Sequence, residues 1–103
     1  MEDVLMEINK VQNGTELVLA LGGRLDTTTA PELEAVVKGD LGGVENLIID
    51  MEQLEYISSA GLRVLLQAQK TMNKQGGMKI VKACEEIKEV FEITGFSDIL
   101  TIE

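Results

Sequence analysis

Two adjacent serines, Ser58 and Ser59, are the residues of this chain best placed to do chemistry. They sit in Leu54-Glu55-Tyr56-Ile57-Ser58-Ser59-Ala60-Gly61-Leu62-Arg63, where an apolar run gives way to an amphipathic helical pattern. The first amide N–H groups of a helix have no partner inside it. The helix dipole adds partial positive charge at the same end, so negative charge is welcome there. A serine at such a junction can cap the helix through its hydroxyl. It can also accept a phosphoryl group, whose charge of about −1.5 to −2 at neutral pH is tolerated at a helix N-terminus. The small neighbours Ala60 and Gly61 leave room for a large partner to approach. Spacing alone favours the cap, and leaves both roles open.

Other chemistry is poorly represented. There is no histidine, so the commonest general base and zinc ligand are missing. The single cysteine, Cys84, cannot form an intramolecular disulfide, and with no histidine to activate it reads as a structural thiol. No Walker-type Gly-Lys-Ser/Thr loop occurs, and no Gly-x-Gly-x-x-Gly follows a strand. Asp and Glu number 18 against 9 Lys and Arg, a net charge of −9. No carboxylate pair stands at a spacing that demands catalysis, so the acids read as a solvated face. We expect no catalytic residue, no metal ligand and no cofactor. So acidic a chain is poorly suited to nucleic acid or an anionic membrane and better suited to a partner with a basic surface. No apolar run approaches membrane-spanning length. The acidic start Met1-Glu2-Asp3 is unlike a signal peptide, which with the lone thiol points to a cytoplasmic setting.

The elements that must position the serines follow from hydropathy. The 103 residues predict one domain, 1–103. Aromatic content is 3% (Tyr56, Phe91 and Phe96), so the core must be aliphatic. Residues 4–11 read as a strand, Gln12-Asn13-Gly14-Thr15 as a hairpin turn with positive φ at both Asn13 and Gly14, and 16–21 as the returning strand. Its near-continuous run Leu17–Leu21 suggests burial on both faces. Gly22-Gly23 marks a bulge or a close backbone approach. Thr29-Ala30-Pro31-Glu32 matches a capping box, with Leu33, Val36 and Val37 on the inner face of a helix that fades near Gly39, before the Gly42-Gly43 turn. Asn46 to Met51 is a buried strand. From Ser59 to Lys74 the chain is helical, with Leu62, Leu65, Leu66 and Met72 inward and Arg63, Gln67, Lys70 and Lys74 outward. Gly76-Gly77 stops this helix. Residues 78–82 form a strand and 84–94 a helix capped by Gly95. Phe96 to Ile99 turns into a last strand, 100–102. The order is β-β-α-β-α-β-α-β. The expected fold class is α/β, one mixed sheet of four to five strands with helices packed against it and right-handed crossovers.

These residues together resemble the STAS domain, and more closely the bacterial anti-sigma factor antagonists. The resemblance rests on Leu54-x-Tyr56-Ile57-Ser58-Ser59-Ala60-Gly61-Leu62 before an amphipathic helix, and on Gly23-Arg24-Leu25-Asp26 followed by threonines and Ala30-x-x-Leu33. Leu47-Ile48-Ile49-Asp50-Met51 and Thr94-Gly95-Phe96 with Ile99 complete it. It covers nearly the whole chain. It implies a non-enzymatic partner that binds a kinase-type anti-sigma factor and so frees a sigma factor. The kinase phosphorylates a serine before the second helix and the complex dissociates, and a serine phosphatase reverses the modification. Aligning the pattern Asp-Ser-Ser/Ala-Gly-Leu on Gly61-Leu62 puts the phosphoacceptor at Ser59, with Ser58 its rival. Ser58 stands where the pattern has Asp, a departure from the family. The resemblance further implies a partner-binding surface of Asp26, Thr27, Thr28, Ser58, Ser59, Ala60, Gly61 and Arg63, and a monomer or weak dimer. For Asp26 and the threonines, a cap and turn for the first helix is the competing role.

Two rival functions remain at this stage. One is a STAS scaffold or accessory subunit of a lipid or anion transport system, in which the serine loop works without phosphorylation. The other is a small enzyme, disfavoured by the missing histidine and cofactor motifs.

Overall fold

A computed structural model describes residues 6–103 of the chain. Strand β1 (Met6–Asn13) pairs antiparallel with β2 (Glu16–Leu25). Val4 and Leu5, expected to begin β1, lie outside the described residues. The turn is one residue later than the expected Asn-Gly. Asn13 still pairs with Glu16, the loop is Gly14–Thr15, and of the two only Gly14 has positive φ (+62°). A glycine at the first loop position is the II′ arrangement, which needs one left-handed residue rather than two.

Parallel pairing joins β2 to β3 (Asn46–Ile57) and β3 to β4 (Gly77–Val81), in the order β1-β2-β3-β4. Helices α1 (Ala30–Asp40), α2 (Ser59–Asn73) and α3 (Glu85–Ile93) lie between and after them, followed by a 3-10 turn, Phe96–Asp98. The expected single α/β domain with a mixed four-stranded sheet is what forms. The expected last strand shrinks to one parallel bridge between Ile102 and Ile80. The Leu100 N–H still donates to the Phe96 carbonyl at 2.8 Å, so the chain is turning until residue 100 and little of it remains to extend. Strand β4 stops one residue short of the expected Lys82, which leaves it in the left-handed region at φ +62°.

The two central strands are longer than their hydropathy suggests. Strand β2 runs to Leu25 and β3 to Ile57, against expected ends at Leu21 and Met51. The reason is a changing register. Ala20 stands opposite Asp50, Gly22 opposite Gln53 and Arg24 opposite Tyr56, with irregularities between Ala20 and Gly22 and between Gly23 and Arg24. Strand β3 thus carries one extra residue at each step, the signature of a bulge. Its buried residues are Leu47, Ile49 and Met51, then Leu54 and Ile57. The last two steps are three residues long rather than two, one for each register shift. The bulge expected at Gly22-Gly23 therefore exists, with its extra residues on the partner strand.

All three helices contribute to one core, with Leu33 and Val37 from α1, Leu62, Leu65, Ala68 and Met72 from α2, and Ile87 and Phe91 from α3. They pack with Leu17, Leu19, Leu21 and Leu25 of β2. Between these leucines, Val18 and Ala20 are only half-buried. The run Leu17–Leu21 is therefore not buried on both faces as its composition suggests. Leu66 and Val36, expected to point inward, are also half-buried. The outward positions of α2, Arg63, Gln67, Lys70 and Lys74, are all exposed.

Where α2 returns to the sheet, the Gly77 N–H donates to the Glu45 carbonyl at 2.9 Å, and a Cβ on Gly76 would collide with the Glu45 backbone. The Gln75 amide holds the same corner by donating to the Leu41 and Val44 carbonyls, both at 2.6 Å. Gly39 is different. It lies in the last turn of α1, which ends at Asp40, close to the expected end, and a Cβ there meets nothing within 4 Å. Gly39→Ala is expected to raise stability by about 0.5–1 kcal/mol by restricting the unfolded chain. Gly76→Ala is expected to lower it by at least about 2 kcal/mol through overpacking against backbone. Urea unfolding midpoints that move in opposite directions would bear this out.

Candidate functional site

The junction of β3 and α2 is held by backbone contacts. The Ser58 N–H donates to the Leu25 carbonyl at 2.9 Å, and the Ser58 carbonyl accepts from the Leu62 N–H at 3.0 Å. Ser58 is thus the N-cap position of α2, in extended conformation (φ −106°, ψ 176°). Its side chain makes no capping hydrogen bond. The hydroxyl oxygen is buried and has no partner among the described residues. Ser59 is the first residue of α2, and its side chain is exposed. The two serines that look equivalent in the sequence are therefore distinct, one turned in and one turned out. No acidic residue lies in the first turn of α2, so nothing of this helix offsets the partial positive charge at its N-terminus.

Ala60 is half-buried and Gly61 is buried. A Cβ on Gly61 would lie 2.6 Å from Leu25 Cγ and 3.0 Å from Ile57 Cγ1. The lack of a side chain at 61 serves the packing of α2 on the strand ends, in addition to keeping the loop small. Arg63 is exposed one turn beyond Ser59.

The β2–α1 loop lies alongside, since Leu25 carries both the Ser58 contact and the following Asp26. Asp26 accepts from the Thr28 hydroxyl at 2.8 Å, the Thr28 N–H at 3.0 Å and the Thr29 N–H at 3.2 Å. The Thr28 hydroxyl bond above all, with the two backbone N–H groups, holds the Asp26 carboxyl below the ordinary value of 3.8. Thr27 and Thr28 are exposed. The capping box expected of Thr29 and Glu32 does not form, because Thr29 makes no side-chain cap bond. Its hydroxyl is turned back, accepting from the Asp26 N–H at 2.8 Å and donating to the Arg24 carbonyl at 2.7 Å. Asp26 takes over the capping.

Two features of the site needed the third dimension. The bulged register sets Arg24 beside Tyr56, with the guanidinium 4.3 Å from the ring centroid and 3.6 Å from the Asp26 carboxylate. Only the shifted pairing brings these residues together. The second is a groove of about 410 Å³ between α1 and α2. Ala30, Pro31, Ala60 and Val64 supply its apolar surface, and Thr27, Glu34, Arg63 and Lys70 its polar edge. The sequence shows Arg63, Gln67 and Lys70 on one helical face, but not that this face borders α1. Ala60 and Thr27 put one end of the groove beside Ser59.

A family model described as the STAS domain matches residues 7–103. A Bordetella bronchiseptica protein named as an anti-sigma factor antagonist, BtrV, is 35% identical over 88 residues, covering 84% of this chain and 76% of that protein. The anti-sigma-B factor antagonist of Staphylococcus aureus is 31% identical over 84 residues, covering 80% and 78%. The fold is shared with a solved anti-sigma factor antagonist from Mycobacterium paratuberculosis (TM-score 0.85, 21% identity, 94% of this chain and 84% of that one). It is also shared with SpoIIAA of Bacillus in its phosphorylated form (TM-score 0.74, 18% identity, 94% and 91%). No described helix is long and apolar enough to cross a membrane.

Two outcomes follow from the electrostatics. An acid in the empty first turn of α2 suits its dipole, so Ser59→Asp is expected to raise stability by about 0.3–1 kcal/mol at low salt, read as a higher urea midpoint. For Asp26 the folded carboxyl lies below its ordinary value. Its stabilising contribution is therefore fully present above that ordinary value, and is lost as pH falls through the lower folded one. The stability difference between wild type and Asp26→Asn should be flat near neutrality and shrink on acidification below the ordinary carboxylate range. A difference that grew on acidification would contradict this assignment.

Proposed function

We propose, for a chain that belongs to the STAS domain family and to its anti-sigma factor antagonists, that Ser59 is the control point of a partner switch. Unphosphorylated, the chain binds a kinase-type anti-sigma factor and so releases a sigma factor. The kinase transfers the γ-phosphoryl group of ATP to the Ser59 hydroxyl: a bond forms from Ser59 Oγ to phosphorus, the bond to the ADP oxygen breaks, and the hydroxyl proton leaves to a base. The complex then dissociates, and a serine phosphatase returns the free hydroxyl by hydrolysis. The role is regulatory rather than catalytic.

The observation that carries this reading is the contrast between the serines: Ser59 is exposed at the start of α2, and the Ser58 hydroxyl is buried. An acceptor must reach the kinase's active site, and only Ser59 does so without unpacking the junction. Asp26, Thr27, Thr28, Ala60 and Arg63 flank it and form the partner surface with Ser58 and Ser59. Gly61 contributes by letting α2 sit close to β2. Ser58 leaves the position before the acceptor uncharged, so in this chain Asp26, in the loop that follows the Leu25 contact, supplies a carboxylate for kinase recognition. Related chains lend support. SpoIIAA has been solved both unphosphorylated and phosphorylated, and this fold matches the two forms with TM-scores of 0.73 and 0.74.

Phosphate in the middle of an interface adds bulk, charge and a desolvation cost. Losing about 3 kcal/mol weakens binding more than a hundredfold. A switch of this kind needs no change of fold.

The test uses wild type, Ser58→Ala, Ser59→Ala and Ser59→Asp as bait in lysate of the native host, with captured proteins identified by mass spectrometry and phosphate uptake followed with labelled ATP. Wild type and both Ala variants should hold an ATP-binding serine kinase, Ser59→Asp should lose it, and Ser59→Ala alone among the first three should take up no phosphate. Capture of the same membrane-transport subunits by all four baits, with no phosphate on any, would replace this reading by the scaffold one.

A further inference from the structure

We propose that Arg63 is the counter-ion of a phosphoserine at position 59, so that phosphorylation withdraws this guanidinium from the edge of the α1–α2 groove. The inference rests on the reading of Ser59 given above and adds a residue through which the modification acts.

Ser59 and Arg63 are four residues apart on α2, both exposed. Residues at that spacing are surface neighbours, and an acid N-terminal to a base is the favourable order. A guanidinium can bind a phosphate through two parallel hydrogen bonds, which an ammonium cannot match. The chain has two arginines. Arg24 is engaged, 3.6 Å from the Asp26 carboxylate and stacked on Tyr56. Arg63 has no carboxylate within 4.0 Å among the described residues. Glu34 borders the same groove, but its carboxylate lies 3.6 Å from the Lys38 ammonium. Arg63 is therefore uncommitted while Ser59 is free, and is the cation best placed when Ser59 carries charge.

This has a consequence for the groove. With Ser59 free, Arg63 and Lys70 give an apolar trough a positive edge, which suits an acidic amphipathic segment. Once the phosphate holds Arg63, the end of the groove beside Ser59 carries net negative charge and repels the same segment.

The chain itself supplies a clean readout, because it has no histidine. Between about pH 5.5 and 7 the only side chain expected to titrate is the phosphoserine. The charged groups of the elements that flank this helix start are Asp26 with Arg24 on the β2–α1 side, Glu34 with Lys38 on α1, and Glu55 in β3. They are present in every variant and cancel in comparison.

Phosphoserine is installed at 59 during synthesis, through an expanded genetic code, in wild type, Arg63→Gln and Lys74→Gln. The second phosphate ionisation is then followed by phosphorus NMR. The expected result is an apparent pKa about 0.15–0.4 unit lower in wild type than in Arg63→Gln. Lys74→Gln, which removes a charge from the far end of the same helix, should titrate with wild type. Coincident curves for wild type and Arg63→Gln would overturn the proposal, and so would an equal shift in Lys74→Gln, since that would mark a general field. Because the phosphate is built in, the measurement does not depend on any kinase. Absence of phosphate uptake in the lysate experiment would sink the functional reading and leave this ion pair standing or falling on its own curves.

Discussion

The contact on which the site depends is the meeting of Ser58, Gly61 and Leu25. The Ser58 N–H reaches the Leu25 carbonyl at 2.9 Å, and Gly61 lets the first turn of α2 lie directly on the Leu25 and Ile57 side chains. This ties the end of β3 to the end of β2 and fixes where α2 begins. The same strand end then starts α1, because Arg24 accepts from the Thr29 hydroxyl and Asp26 gathers the Thr28 and Thr29 N–H groups. Two helix starts and two strand ends share one anchor. The backbone hydrogen bonds that tie these ends together are costly to break in a buried junction, so Ser59 is held at a fixed place at the start of α2 with its side chain outward.

Much of this was legible from residue types and spacing. The helical pattern of α2 gave its start at Ser59 and its exposed face, and order and spacing gave the succession of elements through α3. What escaped detection has definite physical causes. The second half of β3 was missed because bulges break its alternation. Leu54 and Ile57 are three apart, a spacing that matches neither a flat strand nor, with Glu55 and Tyr56 both exposed, a helix. The turn at Gly14–Thr15 and the failed Thr29 box were misplaced by local rules that tertiary contacts overrode: Asn13 is held in the ladder by Glu16, and Thr29 is drawn to Arg24. Which serine faces out could not be read from two adjacent serines. It follows from the extended N-cap geometry of Ser58, with its N–H on the Leu25 carbonyl of β2.

The charge distribution sharpens the site. The chain has twice as many acids as bases. Several bases are taken up locally: Lys10 lies 2.8 Å from Asp40, Lys79 3.4 Å from Glu103, and Lys82 within 4.0 Å of Asp50 and 3.9 Å of Glu52. Exposed pairs of this kind add little to stability, of the order of 0–1 kcal/mol each. Their larger effect is on the surface field. Cations matched in this way offer little to a visitor, whereas Arg63 and Lys70 stand along one face of α2 beside an apolar groove. On a molecule that otherwise repels acidic partners, this strip is where one can be accommodated.

A modification at Ser59 therefore acts on two states in opposite directions. In the free protein, negative charge at the first helical position meets an uncompensated dipole and a nearby guanidinium, both favourable. In a complex the same charge sits where a partner must close on the loop and desolvate it. A ligand or modification shifts an equilibrium only through its difference between states, and here the two contributions have opposite signs and so reinforce each other in that difference. The fold need not move for the switch to work. It has to hold Ser59 outward and leave the first turn of α2 without an acid of its own, and the junction of Ser58 with Leu25 achieves the first of these while the sequence Ser59-Ala60-Gly61 achieves the second.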